Sequence, residues 1–199
     1  MFQFALPFRP GSGEGPPRIV IGDANASVAE ALHKTEDWPF RTAILTGPRL
    51  SGKSLFARWF EESGRGEAID DAPQMDEHLL FHRWNRAQEL EQPLLLIAGP
   101  EPWNIALPDL RSRLGAAMQL EIQPPDDNMA AELLLSLAQE RSLPLGPDAA
   151  AYLVPRAPRG YAELVDLVAA IDRISLERKA APTLAIWRAA LEELHGRAG

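Results

Sequence analysis

The 199-residue chain contains no cysteine, which removes disulfides, thiolate nucleophiles and cysteine-ligated zinc from consideration. It has no apolar run near the roughly 20 residues that a membrane-crossing helix needs. Its first residues lack the basic and apolar regions of a secretory signal, so a cytoplasmic location is the expectation. Basic residues are in deficit, 20 Lys and Arg against 28 Asp and Glu, for a net charge of −8. Phosphate backbones are held by clustered Lys and Arg, and with no basic stripe the chain is not expected to bind nucleic acid strongly by itself. Histidine is scarce as well. Of the four, only His78 and His82 stand four apart on a predicted helix, and no Glu completes the H-E-x-x-H arrangement, so a histidine-held metal is not expected. No internal repeat or low-complexity tract is evident. What is abundant is core material: 46% of residues are hydrophobic, enough for one large domain or a domain with an appendage.

The most informative stretch is Gly47-Pro48-Arg49-Leu50-Ser51-Gly52-Lys53-Ser54, which fits the P-loop pattern G-x-x-x-x-G-K-[ST]. Arg41 to Thr46 before it reads as a buried strand, and Leu55 to Phe60 after it continues with helical periodicity. Strand, glycine turn and helix thus come in the order the motif requires. Such a turn aims successive backbone N–H groups and a helix N-terminus at phosphate oxygens. Lys53 would reach the outer phosphates and the Ser54 hydroxyl would serve Mg²⁺. Beyond it, Glu67-Ala68-Ile69-Asp70-Asp71 reads as a strand ending in acids. Asp70 is the candidate Mg²⁺-side carboxylate and Asp71 the candidate water-orienting group, with a turn or capping role as the plain alternative.

Only 17 positions separate Lys53 from Asp70, enough for one helix and one strand. One helix suffices for a crossover between neighbouring parallel strands, so a trimmed sheet with one edge strand missing is expected. Glu77 to Gln88 reads as an amphipathic helix, Pro93 to Ala98 as a buried strand, and Met118 to Ile122 as the last strand. Gly99-Pro100-Glu101-Pro102 offers no obvious polar group for a γ-phosphate. Arg111 and Arg113, read as lying in a loop within Leu107 to Leu114, are either surface charge or arginines that reach a nucleotide on a neighbouring subunit. From Asp126 onward the pattern is helical only, in segments Asp126 to Arg141, Pro147 to Ala157, Tyr161 to Arg178 and Thr183 to His195. The expected organisation is a tail and linker over 1–17, a nucleotide-binding domain over 18–123 and a helical lid over 124–199.

Ahead of this, Arg18 to Ile21 is a short apolar run and Ala26 to Lys34 a predicted helix. At the chain's start, Gln3-Phe4-Ala5-Leu6-Pro7-Phe8 precedes a Gly/Pro-rich linker. The aromatic residues either pack back on the domain or enter a partner's groove. The hexapeptide resembles the Q-x-x-L-[PF] peptides by which bacterial replication proteins bind the sliding clamp, with Gln3, Phe4, Leu6, Pro7 and Phe8 as the contact residues.

Several segments together resemble the AAA+ domain of DnaA-type replication initiators and, more closely, the short Hda-type regulators that inactivate the initiator. They are the P-loop, Ile69-Asp70-Asp71, Asp76-Glu77 with Phe81-His82-Arg83-Trp84-Asn85, Leu107 to Leu114, Ile122 to Asp126, and Tyr161 to Leu191. The resemblance runs from about Ile19 through nearly the whole chain, with no helix-turn-helix domain after the lid. It implies an α/β P-loop AAA+ core with a trimmed parallel sheet and a helical lid. It places Gly22 and Asn25 beside an adenine, although a helix cap explains Asp23 and Asn25 equally well. It implies an ADP- or ATP-binding adaptor, bound to the sliding clamp, that makes the initiator DnaA hydrolyse its ATP, with Arg113 matching the family's arginine finger. A homodimer is compatible with it. Two positions depart from the pattern: Pro100 replaces the sensor-loop Asp, and Ala162 replaces the lid arginine. The expectation is stable ADP binding with feeble ATP hydrolysis of its own. The alternatives are an autonomous P-loop ATPase of helicase-loader type and a nucleotide-free AAA+ scaffold.

Overall fold

The structure, a computed structural model, describes residues 19–197. The clamp-type hexapeptide Gln3 to Phe8 lies outside them. The chain divides into two compact units: one comprises the described residues up to Ile21 together with Asn25–Gln123, the other Gly22–Ala24 together with the chain from Pro124 onward.

In the first unit α1 (Ala26–His33) precedes β1 (Thr42–Thr46), α2 (Lys53–Glu62), β2 (Glu67–Ile69), α3 (Glu77–Glu89), β3 (Leu94–Ile97), α4 (Pro108–Gly115) and β4 (Met118–Glu121). Among the described residues the strands form one parallel four-stranded sheet in the order β2-β3-β1-β4. The register pairs Ile44 with Leu96 and with Gln119, and Ile69 with Leu96. Central β1 and β3 are buried on both faces, as crossover helices on both sides of a parallel sheet demand. Side chains alternate across that sheet. Ile44, Ile69, Leu94 and Leu96 join α3 and α4 through Leu80, Trp84, Leu110 and Leu114 in one core. Phe56 and Phe60 of α2 are also fully buried, with Trp38 stacked on Phe60 at 5.5 Å between ring centres.

Two expectations change. β2 does not neighbour β1, because β3 lies between them. The all-apolar run Leu94–Ile97 takes the doubly buried position, while three-residue β2, beginning at Glu67, goes to the edge. Arg111 and Arg113 lie in a helix, not a loop. Pro108 occupies the first helical turn, where its missing N–H costs nothing, and Leu110 and Leu114 bury one face at i, i+4.

The second unit holds α5 (Asp127–Glu140), α6 (Pro147–Leu153), α7 (Tyr161–Arg178) and α8 (Leu184–Arg197) around a core that includes Leu134, Leu153, Leu167, Ile171 and Ala190. The Asp126 carboxylate caps α5 by accepting from Met129 N–H at 2.7 Å. α6 is shorter than the sequence suggests, because Pro155 falls in a 3-10 turn after Leu153. Burial, with the nearby Asp126 charge, pushes the Tyr161 hydroxyl up to about 12. Ala162 stands in the first turn of α7.

Candidate phosphate site and the Arg113 corner

Residues 47–52 connect the carboxyl end of β1 to α2 at the middle of the sheet. There the chain order reverses, with β3 on one side of β1 and β4 on the other. Open α/β sheets form their ligand crevices at such a place. Both flanking strands extend past the loop's start: Ala98 N–H donates to Leu45 O and Ile122 N–H to Thr46 O, each at 3.0 Å. Gly47 has φ +146°, and a Cβ there would come within 3.0 Å of Ile122. Glycine is therefore required both by conformation and by the close approach of β4. Gly52 ends the loop in the left-handed region, φ +89°, directly before the first turn of α2.

Lys53 folds over the loop and donates Nζ to Gly47 O (2.8 Å) and Pro48 O (2.7 Å). Burial lowers its pKa, an effect opposed by the negative charges of Asp70 and Glu101. The charges of Asp70 and Glu101 thus both bear on Lys53. Glu101 is a group the sequence reading passed over, since attention fell on Pro100. The signal was an acid immediately beyond a buried strand, at the end where the P-loop lies. Ser54 is exposed in the first turn of α2, and Arg49 and Leu50 are exposed at the loop's tip. Ser51 Oγ is buried with no hydrogen-bond partner. A buried hydroxyl left unsatisfied is costly, and an acceptor oxygen on a bound guest would satisfy it. Unspent Ser51, the Gly47 and Gly52 conformations and a lysine bonded only to its own loop together fit a polyphosphate.

Asp70 and Asp71 are both exposed at the end of β2. Asp71 N–H donates to Asp70 Oδ1 at 3.0 Å, and Asp71 itself is left-handed at φ +51°, opening a 3-10 turn. The pair therefore builds a turn, and the Asp70 charge also acts on Lys53. Asn25 precedes α1, where its C=O accepts from Ala29 N–H at 3.0 Å, while Nδ2 donates to Val20 O at 2.9 Å. Gly22 belongs to the helical unit and is tightly approached by the Met129 side chain.

Arg113 is not extended into solvent. It is half-buried in α4, its guanidinium carbon 4.6 Å from the Phe81 ring centre and 4.4 Å from that of Trp84. Its Nη1 donates to Asn85 Oδ1. Arg111, two residues earlier, is exposed. Among the described residues no three His, Asp or Glu gather as a metal cluster, and no helix is long and apolar enough to cross a membrane.

A P-loop at the switch point of a trimmed parallel sheet, followed by a helical bundle, defines the AAA+ fold. No known family profile matches the sequence. The structure is similar to domain III of the Thermotoga maritima replication initiation protein DnaA, with TM-score 0.69 and 12% identity over 87% of this chain and 93% of that one. It is also similar to AMPPCP-bound DnaA from Aquifex aeolicus, with TM-score 0.59 and 16% identity over 80% of this chain and 65% of that longer one. The Thermotoga maritima RuvB Holliday junction branch migration motor matches with TM-score 0.60 and 17% identity, covering 86% of this chain and 69% of that one.

Proposed function

We propose that the chain is an Hda-type AAA+ adaptor: it holds ADP or ATP as a structural clasp, docks on the replication initiator DnaA, and stimulates hydrolysis of the initiator's ATP through Arg113. The observation that carries this reading is the match to initiator domain III, in which 87% of the chain is covered, together with an arginine at position 113 of α4.

In this account the loop N–H groups, Ser51 and Lys53 bind the nucleotide's phosphates, and Ser54 and Asp70 hold Mg²⁺, which would shield phosphate charge when bound. To engage a phosphate, Lys53 must exchange the two carbonyls it now contacts for phosphate oxygens. That exchange favours a charge-assisted bond over two neutral acceptors. In this reading Asp71 would orient a water. Pro100 and Ala162 remove the two groups that would couple the γ-phosphate to the lid, so turnover in this chain's own site stays low. The guanidinium of Arg113 would stabilise the charge that develops on the phosphoryl group transferred in the initiator's site, an effect on the order of 10³ to 10⁵ in rate. Gln3, Phe4, Leu6, Pro7 and Phe8 would tether the adaptor to the DNA-loaded sliding clamp in the cytoplasm, which supplies the DNA attachment that the chain's charge of −8 does not.

The similarity to RuvB favours a second reading, an autonomous motor using its own ATP. The test is hydrolysis of initiator-bound ATP with clamp loaded on DNA, comparing the intact chain, Arg113→Ala and a chain lacking the first ten residues. The adaptor reading expects stimulation by the intact chain and loss with either change. No stimulation by the intact chain, combined with brisk ATP turnover by the chain alone, would establish the motor.

A further inference from the structure

Pro39–Arg41 form a 3-10 turn immediately before β1. Within it Phe40 and Arg41 stand one after the other at φ +52° and +48°. L-residues visit this left-handed region singly and at a steric cost, and a bulky aromatic residue rarely does so. Tertiary contacts hold the pair there. The Phe40 carbonyl accepts from Gln88 Nε2 at 2.8 Å and from Thr42 Oγ1 at 2.9 Å, and Arg41 N–H donates to Trp38 O at 2.9 Å. Arg41 Nη2 pairs with the Glu91 carboxylate at 3.2 Å, just past the end of α3. The result of this pinned, strained backbone is a phenylalanine kept in water. Phe40 is 55% exposed, and Leu90, beside Glu91 in the chain, is 59% exposed. A ring buried for stability needs no such strain, and strain that its neighbours over-determine gathers at functional surfaces.

Phe40 is continuous with the Arg113 corner. Its ring centre is 6.3 Å from that of Trp84, which lies 4.4 Å from the Arg113 guanidinium carbon. Phe40 precedes the amino end of β1, and Arg113 lies in the last turn of α4 shortly before β4. Both therefore sit toward the end of the parallel sheet opposite this chain's own phosphate loop.

We propose that Phe40 is a docking anchor that enters an apolar pocket on the initiator, close to the nucleotide on which Arg113 acts. This rests on the reading of Arg113 as the group that acts in a partner's site. A stable interface covers about 800 Å² per partner, a disc roughly 16 Å in radius, so a partner seated over Arg113 also covers Phe40. Arg41 and Glu91 spend their charges on each other, which leaves this corner suited to an apolar pocket rather than a charged one. An aromatic ring offers a large apolar area on two side-chain torsions, so with its backbone already fixed it loses little freedom on docking. A second copy of this chain seated on Phe40 would cover Arg113 and take it from the initiator.

The test uses the full chain with initiator and DNA-loaded clamp, and the variants Phe40→Asn, Phe40→Leu and Arg113→Ala. Asparagine accepts the left-handed conformation more readily than phenylalanine, so Phe40→Asn separates docking from stability. Stimulated ATP hydrolysis is measured against chain concentration. On the free chain, thermal melting is followed and the Arg113 side-chain N–H resonances are recorded by NMR. Phe40→Asn is expected to melt no lower than the intact chain and to leave the Arg113 resonances in place. Its half-saturating concentration should rise about 10- to 100-fold while the maximal rate stays within about twofold, with Phe40→Leu between the two. A half-saturating concentration that Phe40→Asn leaves within about twofold of the intact chain's would overturn this inference and leave the proposed function standing. So would a fall in maximal rate with displaced Arg113 resonances, which would make Phe40 a support for Arg113. A dimer of the intact chain on sedimentation, split by Phe40→Asn with half-saturation unchanged, would overturn it in favour of a second copy. Arg113→Ala stimulating as well as the intact chain would overturn both this inference and the proposed function.

Discussion

Lys53 and Arg113 are both cations that the proposed function assigns to phosphates, one on this chain's nucleotide and one on a partner's, and the fold treats them in opposite ways. Lys53 is satisfied within six residues, by the carbonyls of Gly47 and Pro48 on its own loop. Arg113 is satisfied across 28 residues of chain by Asn85, and by the still more distant Phe81 and Trp84 of the same helix. The first arrangement is local and exchangeable, since a phosphate can take the place of two neutral carbonyls. The second is tertiary and built into the core. A clasp for a bound molecule needs the former, and a group presented to another protein gains from the latter.

The comparison breaks most readily at Arg113. Arg113→Lys keeps the charge and removes the planar fork and the flat cation that two rings can face. The expected loss of stimulated hydrolysis is at least about 10²-fold, measured as single-turnover phosphate release, with nucleotide affinity of the chain unchanged. Leu110, fully buried, holds α4 in place, so Leu110→Ala should lower unfolding free energy by about 2–5 kcal/mol in urea denaturation. Lys53→Ala should weaken ADP binding about 10- to 100-fold by calorimetry while the Arg113 resonances stay where they are. If that change moves them, the two sites are not the independent arrangements described here.

The smallest expected effect lies at the end of α1. Arg65 approaches His33 Nδ1 at 2.8 Å and donates to its carbonyl at 3.1 Å. Burial first, and then the Arg65 charge, lowers the His33 pKa below 6.5. The unfolded chain therefore binds the proton more readily than the folded one. The stability from this contact is complete above about pH 6.5 and declines as pH falls from there toward the folded pKa. Thermal melting across that window should show a drop in the intact chain that is reduced in His33→Gln.

The Lys53 loop was legible because everything that makes it is contiguous. Gly47 and Gly52 fall where positive φ is required, and a β-type run and a helical run flank them. The all-apolar strand Leu94–Ile97 was readable for the same local reason. The strand order was not, since nothing within Glu67–Ile69 states that a later segment will insert beside it. Nor was the setting of Arg113. Its number was visible in the sequence, but its two rings and amide come from a helix on the far side of a strand and a loop. Glu101 was missed because its closeness to Lys53 depends on β1 and β3 lying side by side.

The central claim is that the ATP consumed belongs to the partner. The direct measurement is single-turnover phosphate release with labelled ATP loaded first on the initiator alone and then on this chain alone, the two proteins being mixed with DNA-loaded clamp each time. The account expects rapid release of the initiator's label, dependent on Arg113, and retention of the label carried by this chain. Rapid release of this chain's own label, with the initiator's label retained, would contradict it.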